Sequence, residues 1–521
     1  MPITLKGFGG EVPRMEPRYL GNTSATVARN VHLDRGHVSA LHGTKLWETL
    51  PGPRSSFYLH GAEWLSWAAA NVSVVPGPVA QDRLYITTPG AAPQIRVDGA
   101  VYPLALPKPG GKPTLTRSGT LDTDLQEQVL YARTWVTQFD EESPPSNLSN
   151  PIMWSPGCTI TLGGLGSPPT NRSINRQRIY RSQTSISGVT ELFFVAEIPS
   201  TDTGYVHVET TAPLQEAITT QDFDQPPNGM RGLIALPNGI MAAFLGKELL
   251  FSEPYRPHAW PTKYRLTVND PIVGLSAFGN SVAIMTTGTP YVAQGLHPEA
   301  MSLERMEVPY PCVSGAGIAD LGYAAIYPST EGLVQVSTSG AKLISSELWT
   351  REQWAAMSPA TMIGAAWSGK YVFVAQGPSG RRMGIVDLSG AEQGVSWADL
   401  DAHAMVTAIG SGRLFLLAGN RMTISEFDAS DQPRMQATWR SRPFVLPRPA
   451  GFAAIMVEAS DIMPGDAVRV YADGALKATI TKFNSIERLP AGKHRVWEAE
   501  LVGRATVTSI SIGETTAEVA T

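Results

Sequence analysis

Short apolar runs broken by glycine and proline turns constrain this chain more than any other feature. The pattern is clearest over residues 228–295. Ile234, Met241–Phe244 and Leu249–Phe251 are apolar runs parted by the turns Pro237-Asn238-Gly239 and Leu245-Gly246-Lys247. Glycine supplies the positive φ that tight turns need. An aromatic excursion follows, Ser252-Glu253-Pro254-Tyr255-Arg256-Pro257-His258-Ala259-Trp260-Pro261. Its prolines exclude a central strand and a long helix. The rhythm then resumes as Ile272–Leu275, Val282–Met285 and Pro290–Ala293. One small antiparallel sheet stops, an elaborate connection intervenes, and a similar sheet begins, as one blade of a β-propeller hands over to the next.

Comparable openings fall at Leu233-Ile234, Ile272-Val273, Gly317-Ile318, Met362-Ile363 and Val406. Their spacing is about 40–45 residues, the range of propeller blades. Residues 54–105 read as a first blade, with strands at Phe57–His60, Glu63–Ala70, Asp82–Thr87 and Gln94–Val97. With residues 218–430 supplying the others, the expectation is an all-β chain with a six-bladed β-propeller-like core; five or seven blades fit the same spacing. A chain of 521 residues needs several domains. Its 49 glycines, 41 prolines and 17% charged residues suit many short strands, and 43% hydrophobic residues suffice for a large core.

The remaining segments have other textures. Residues 1–53 read as an N-terminal arm, with Phe8–Arg14 and Pro17–Leu20 as anchoring contacts and Thr23–Leu33 as a short helix or edge strand. LPKPGGKPT at 106–114 is a Pro/Gly linker. It opens a region, 106–217, whose strands are longer: Gln128–Phe139, Thr159–Leu162, Gln177–Ser182, Leu192–Ile198 and Tyr205–Val208. This spacing suggests a β-sandwich inserted into the propeller, hanging outside the blades. Tyr131, Trp135-Val136-Thr137, the turn Glu141-Glu142-Ser143-Pro144-Pro145-Ser146 and Arg178-Ile179-Tyr180-Arg181-Ser182 resemble a fibronectin type III module. Glu347–Met357 reads as a helix with Leu348, Trp354 and Met357 on one sticky face. Residues 431–521 read as a C-terminal β-domain, in which Asp473-Gly474 marks a hairpin.

Catalytic and metal-binding patterns are sparse. Gly-x-Ser-x-Gly, His-Glu-x-x-His, Walker and dinucleotide signatures are all missing from the sequence. His32, His37 and His42 recur every fifth residue, which suits neither one strand face nor one helix face; hydrogen-bonded or surface histidines are expected rather than a metal site. Asp122/Asp124 and Asp222/Asp224 lack the downstream Gly and Glu of a calcium loop and read as acidic turns. Glu141 and Glu142, neighbours on an extended chain, point to opposite sides, and a solvated loop is expected there. Arg381-Arg382 and Arg440/Arg442 are candidates for an arginine cluster on a propeller axis, but no convergent set emerges. The expectation is a protein without enzymatic activity, cofactor or metal. Cys158 and Cys312 lie too far apart for a disulfide framework. A net charge of −5 with no basic block argues against tight binding to phosphate backbones. The N-terminus lacks an apolar signal core, and no stretch is long enough to span a membrane.

Taken in order, Phe8-Gly9-Gly10-Glu11-Val12-Pro13-Arg14, the insertion, FSEPYRPHAWP at 251–261, IVGLSAFGNSVAIMTTGTPYV and the closing YADG…ERLPAGKHRVWEAELVG carry a family resemblance over nearly the whole chain. The sequence resembles the tail nozzle (tail tubular) proteins of short-tailed bacteriophages and related prophages. That resemblance implies a structural virion protein, made in the host cytoplasm. It implies a homohexameric ring at the distal tail, below an adaptor ring, docking tail fibres or spikes. Genomic DNA would pass through its lumen without specific binding. The motif Phe251, Ser252, Glu253, Pro254, Tyr255 and Trp260 is then a candidate assembly loop. Two other classes remain: a receptor- or glycan-binding tail-tip protein, with Trp64, Trp67 or Trp260 stacking on sugars, and a propeller-type glycan hydrolase. Core or interface positions are the preferred reading of those tryptophans.

Overall fold

A computed structural model describes residues 2–33, 36–80, 82–184, 190–208, 216–377, 380–387 and 394–520. The chain is nearly all β. Among the described residues, six four-stranded antiparallel meanders dominate it. Meander I comprises Ser73–Pro76, Leu84–Thr87, Gln94–Val97 and Ala100–Pro103. Meander II comprises Arg231–Ala235, Met241–Leu245, Glu248–Phe251 and Leu266–Thr267. Meander III runs from Ile272–Phe278 to Ser302–Arg305, meander IV from Ala319–Asp320 to Gly340–Leu343, and meander V from Ile363–Trp367 to Val395–Ala398. Meander VI is Ala404–Thr407, Leu414–Leu417 and Thr423–Glu426, completed by Lys45–Thr49 from the N-terminal arm. The expected first blade at 54–105 is divided in the structure: Ser56–His60 and Glu63–Trp67 form a separate two-stranded hairpin, and meander I begins after it.

Two compact units emerge: residues 1–71, 270–293 and 304–521, and residues 72–269 and 294–303. In the first, the opening strands of meanders III, IV, V and VI lie in succession beside one another, and the hairpin strand Ser56–His60 follows the last. Side-by-side first strands with the later strands radiating outward make this arrangement propeller-like. Cores form between neighbours. Phe278, Met285 and Val292 pack with Tyr327, Val334 and Val336, and Ile326 and Leu333 pack with Tyr371, Phe373 and Trp397. The helix Arg351–Ala356 starts at a capping box, in which Thr350 Oγ1 accepts from Gln353 N and Gln353 Oε1 from Thr350 N. Its neighbours Leu348 and Met357 are buried with Trp354, as the apolar spacing predicts.

Residues 431–520 build a β-sandwich that needs the N-terminus. Ile3–Lys6 pairs with Ser509–Ile512. Ala25–Arg29 pairs antiparallel with Ala437–Ser441 on one side and meets Trp397 in parallel on the other. The segment at 23–33 is therefore neither helix nor edge but an inner strand, joining meander V to the C-terminal sheet. Phe8 stacks edge-on against Trp439 at 4.8 Å, and Trp439 Nε1 donates to the Gly9 carbonyl. At Asp473-Gly474 both residues have positive φ, which closes the expected hairpin.

In the second unit, the first strand of meander II lies beside those of meander I. Residues 114–208 form a sandwich with one sheet of Thr114–Ser118, Thr159–Gly163 and Tyr205–Val208, and another of Tyr131–Thr137, Ile174–Thr184 and Thr190–Pro199. Ile160 and Leu162 from the first meet Tyr131 and Ile179 from the second.

Candidate assembly site

The strand Glu248–Phe251 carries the chain out of meander II into the 252–261 loop. Ser252 fixes the exit: its amide donates to the Met241 carbonyl and its hydroxyl accepts from the Met241 amide, both at 2.9 Å. Glu253 N donates to Ala259 O and Arg256 N to Glu253 O, so the loop closes on itself. The prolines limit the conformations open to the unfolded segment, which lowers the entropy lost on ordering it. Tyr264 Oη donates to Glu253 Oε2 at 2.7 Å, tying the loop base down.

The two large aromatics of the loop have opposite fates. Trp260 is 1% exposed, packed among Val75, Tyr85, Ile95, Met241 and Leu250. Its Nε1 donates to Pro257 O at 2.8 Å and its amide to Asp224 O at 2.8 Å. Tyr255 is 54% exposed at the loop tip. It has φ of 56°, and its amide donates to the Gly239 carbonyl. A Cβ on Gly239 would sit 2.5 Å from the Tyr255 ring, so the aromatic lies flat on backbone that only glycine leaves clear. Leu296, 67% exposed, adjoins this tip, since its carbonyl accepts from Asn238 Nδ2. Of the six motif residues, Phe251, Ser252 and Trp260 are buried, Glu253 and Pro254 are half-buried, and Tyr255 faces out.

Beneath the loop lies a charge cluster. His258 is buried, and its Nε2 contacts the Glu142 carbonyl at 3.0 Å. A carbonyl accepts only, so Nε2 carries a proton, and Nδ1 faces Glu141 Oε1 at 3.8 Å. Arg172 Nη2 donates to Glu141 Oε2 at 2.5 Å. Arg172 and Glu141 are 1% and 5% exposed. Arg172 Nε and Nη1, Glu141 Oε1 and His258 Nδ1 make no hydrogen bond among the described residues. Burial holds the His258 pKa below 6.5, against the opposing pull of the Glu141 carboxylate. The acidic turn expected to be solvated is thus a buried joint. Glu141 points to Arg172 and His258, while Glu142 accepts from Thr134, Tyr180 and Arg178. The sandwich is accordingly locked to the meander II loop rather than hanging free of it.

Other sequence candidates are structural. His32 Nε2 and His42 Nδ1 meet opposite oxygens of Asp428 at 2.8 and 3.3 Å, and His37 is half-buried. Asp224 caps Thr262, Asp222 pairs with Lys263, and Asp124 N bonds Asp122 Oδ1. Among the described residues no group of three or more His, Cys, Asp or Glu is placed to hold a metal. Arg440 pairs with Glu498 and Arg442 with Asn22. Trp64 packs edge-on against Phe415 at 4.9 Å. Burial pushes the Cys312 thiol up to about 12, and Cys158 is buried and free. Among the described residues no helix is long and apolar enough to cross a membrane.

No family model and no curated protein matches this chain. Distant likenesses to solved structures exist. BBS1N in complex with ARL6DN is 9% identical, covering 49% of this chain and 89% of its own, with a TM-score of 0.26. Hsv2 of Kluyvelomyces marxianus is 9% identical, covering 55% and 85%, with a TM-score of 0.24. The dihydro-heme d1 dehydrogenase NirN is 11% identical, covering 71% and 74%, with a TM-score of 0.28.

Proposed function

We propose that this chain is a structural virion protein of a short-tailed phage or prophage. In this reading it is the distal tail nozzle, a homohexameric ring that conducts DNA and docks the adaptor ring and tail fibres. The observation that carries an assembly role is the 252–261 loop. Its inner half is welded into a core by Trp260, and its outer tip presents Tyr255 beside Leu296. A rigid loop offering an aromatic with a polar tip is what a subunit interface favours, because little further ordering is needed on contact. The nozzle assignment itself rests on the sequence resemblance. The near-balance of 41 basic and 46 acidic residues suits a conduit along which duplex must slide.

Electron microscopy of the purified protein tests the reading. Sixfold rings support it, whereas a monomer at high concentration or a trimeric fibre refutes it. The assembled protein is also expected to bind duplex DNA weakly at moderate salt. Sub-micromolar affinity with a steep salt slope would show a gripping lumen instead.

A further inference from the structure

The joint beneath the 252–261 loop connects two bodies of the second unit through few groups. His258 comes from the loop of meander II. Glu141 and Glu142 come from the sandwich turn, and Arg172 from the segment that enters the strand Ile174–Thr184. The imidazole is 3% exposed, with Phe223 edge-on against it at 5.9 Å. Its Nε2 donates to the Glu142 carbonyl across the joint. Phe139 of the same turn rests edge-on against Tyr102 of meander I at 5.7 Å, beside Arg83.

Charge in the joint is already balanced. Arg172 neutralises Glu141. The Glu142 carboxylate turns away, to Thr134 and Tyr180 at 2.6 Å and to Arg178 at 2.9 Å. Arg172 and Arg256 both oppose a positive imidazole, and the Glu141 carboxylate favours it. From meander I, Tyr85 is fully buried, and its phenol is held protonated by that burial. On the segment carrying Phe223, Asp222 pairs with Lys263 and Asp224 accepts from Thr262.

A proton added at Nδ1 therefore brings an uncompensated positive charge into a site shielded from water. The new N–H would point at Glu141 Oε1 from 3.8 Å, beyond hydrogen-bond reach. Burying a charge without a bonded partner is costly, whereas an imidazole released from the joint is hydrated and titrates normally. We propose that His258 is an acid-sensitive latch: neutral, it closes the sandwich turn onto the meander II loop, and its protonation in mildly acidic solution favours parting of this joint while both bodies stay folded. Each body has its own core to survive the parting. Tyr131, Ile160, Leu162 and Ile179 hold the sandwich, and Val75, Met241, Leu250 and Trp260 hold the meanders. The latch does not depend on the nozzle reading or on the Tyr255 tip.

Hydrogen exchange of the full chain, resolved by peptide at pH 7.5 and pH 5.5 and corrected for intrinsic rate, tests this. Opening of 139–143 and 253–260 should rise by up to about tenfold at the lower pH, the gain in proton uptake by an ordinary imidazole over that interval. The strands Thr159–Gly163 and Ser281–Thr286 should keep their protection. His258→Gln retains an amide donor for the Glu142 carbonyl and cannot titrate, so it should remove the response. Three results with the unaltered chain overturn the proposal. Equal protection at both pH values shows no latch. Greater protection in acid means that the imidazolium closes onto Glu141 instead. Loss shared by the two control strands means global unfolding. A His258→Gln chain that keeps the full response overturns it as well.

Discussion

The Glu141–Arg172 pair makes a prediction with opposite signs for one substitution and two. Both side chains are almost fully removed from water, and only one of the three Arg172 guanidinium nitrogens has a partner among the described residues. Breaking such a pair strands a buried charge, at a cost of about 3–5 kcal/mol. Glu141→Leu alone should therefore destabilise the junction by that amount. Combining it with Arg172→Met removes both desolvation penalties and fills the space with apolar atoms, so the double variant should recover to the parent's stability or exceed it by about 1–4 kcal/mol. The coupling is then several kcal/mol, well beyond what two independent sites give. Urea unfolding, with hydrogen exchange read at the Ser143 and Ala259 amides, reports it, since both amides are bonded within the joint. If Glu141→Leu costs under about 1 kcal/mol, the cluster is not the buried charge pair on which this reasoning rests.

Three further outcomes follow from the same geometry. The folded His258 pKa lies below its ordinary 6.5, so the unfolded chain takes the proton first. Its contribution to stability is complete above pH 6.5 and is lost as pH falls through that value towards the folded pKa. His258→Gln should flatten this part of the stability–pH curve. Tyr255→Ser removes an exposed ring and should leave unfolding within about 0.5 kcal/mol of the parent while weakening self-association in sedimentation velocity. Unchanged association would exclude the tip from the interface. Gly10→Ala would bring a methyl within 2.8 Å of the Gly394 and Val395 backbones. It should cost about 1–3 kcal/mol by displacing the arm, read as a drop in urea midpoint.

Local patterns were legible where the physics is local. The meander rhythm, the Asp473-Gly474 hairpin and the apolar face around Trp354 all follow from spacing within a few residues. Trp260 is buried in the core beside meander II, and its proline-rich context alone cannot say whether a tryptophan faces a core or a partner. The errors arose where the deciding neighbour is remote. Glu141 and Glu142 look like a solvated acidic turn until Arg172, Arg178 and His258 are brought to them. Ala25–Arg29 shows no sign of being an inner strand, because its partners lie at 397 and 437–441.

The sixth meander has a consequence for how the molecule is made. Its outer strand, Lys45–Thr49, leaves the ribosome well before its partner strand, because the Glu426 carboxylate that Trp47 Nε1 bonds lies 379 positions later. At about 5–20 residues per second, the early strand waits on the order of 20–75 s for its partner. Throughout that interval an unpaired edge carrying Leu46 and Trp47 is open to other nascent chains. Lys45 and Glu48 flank those residues, and charges at such positions discourage strand addition. Chains stalled or truncated before residue 423 retain the open edge, so premature termination should yield aggregates rather than shorter folded products.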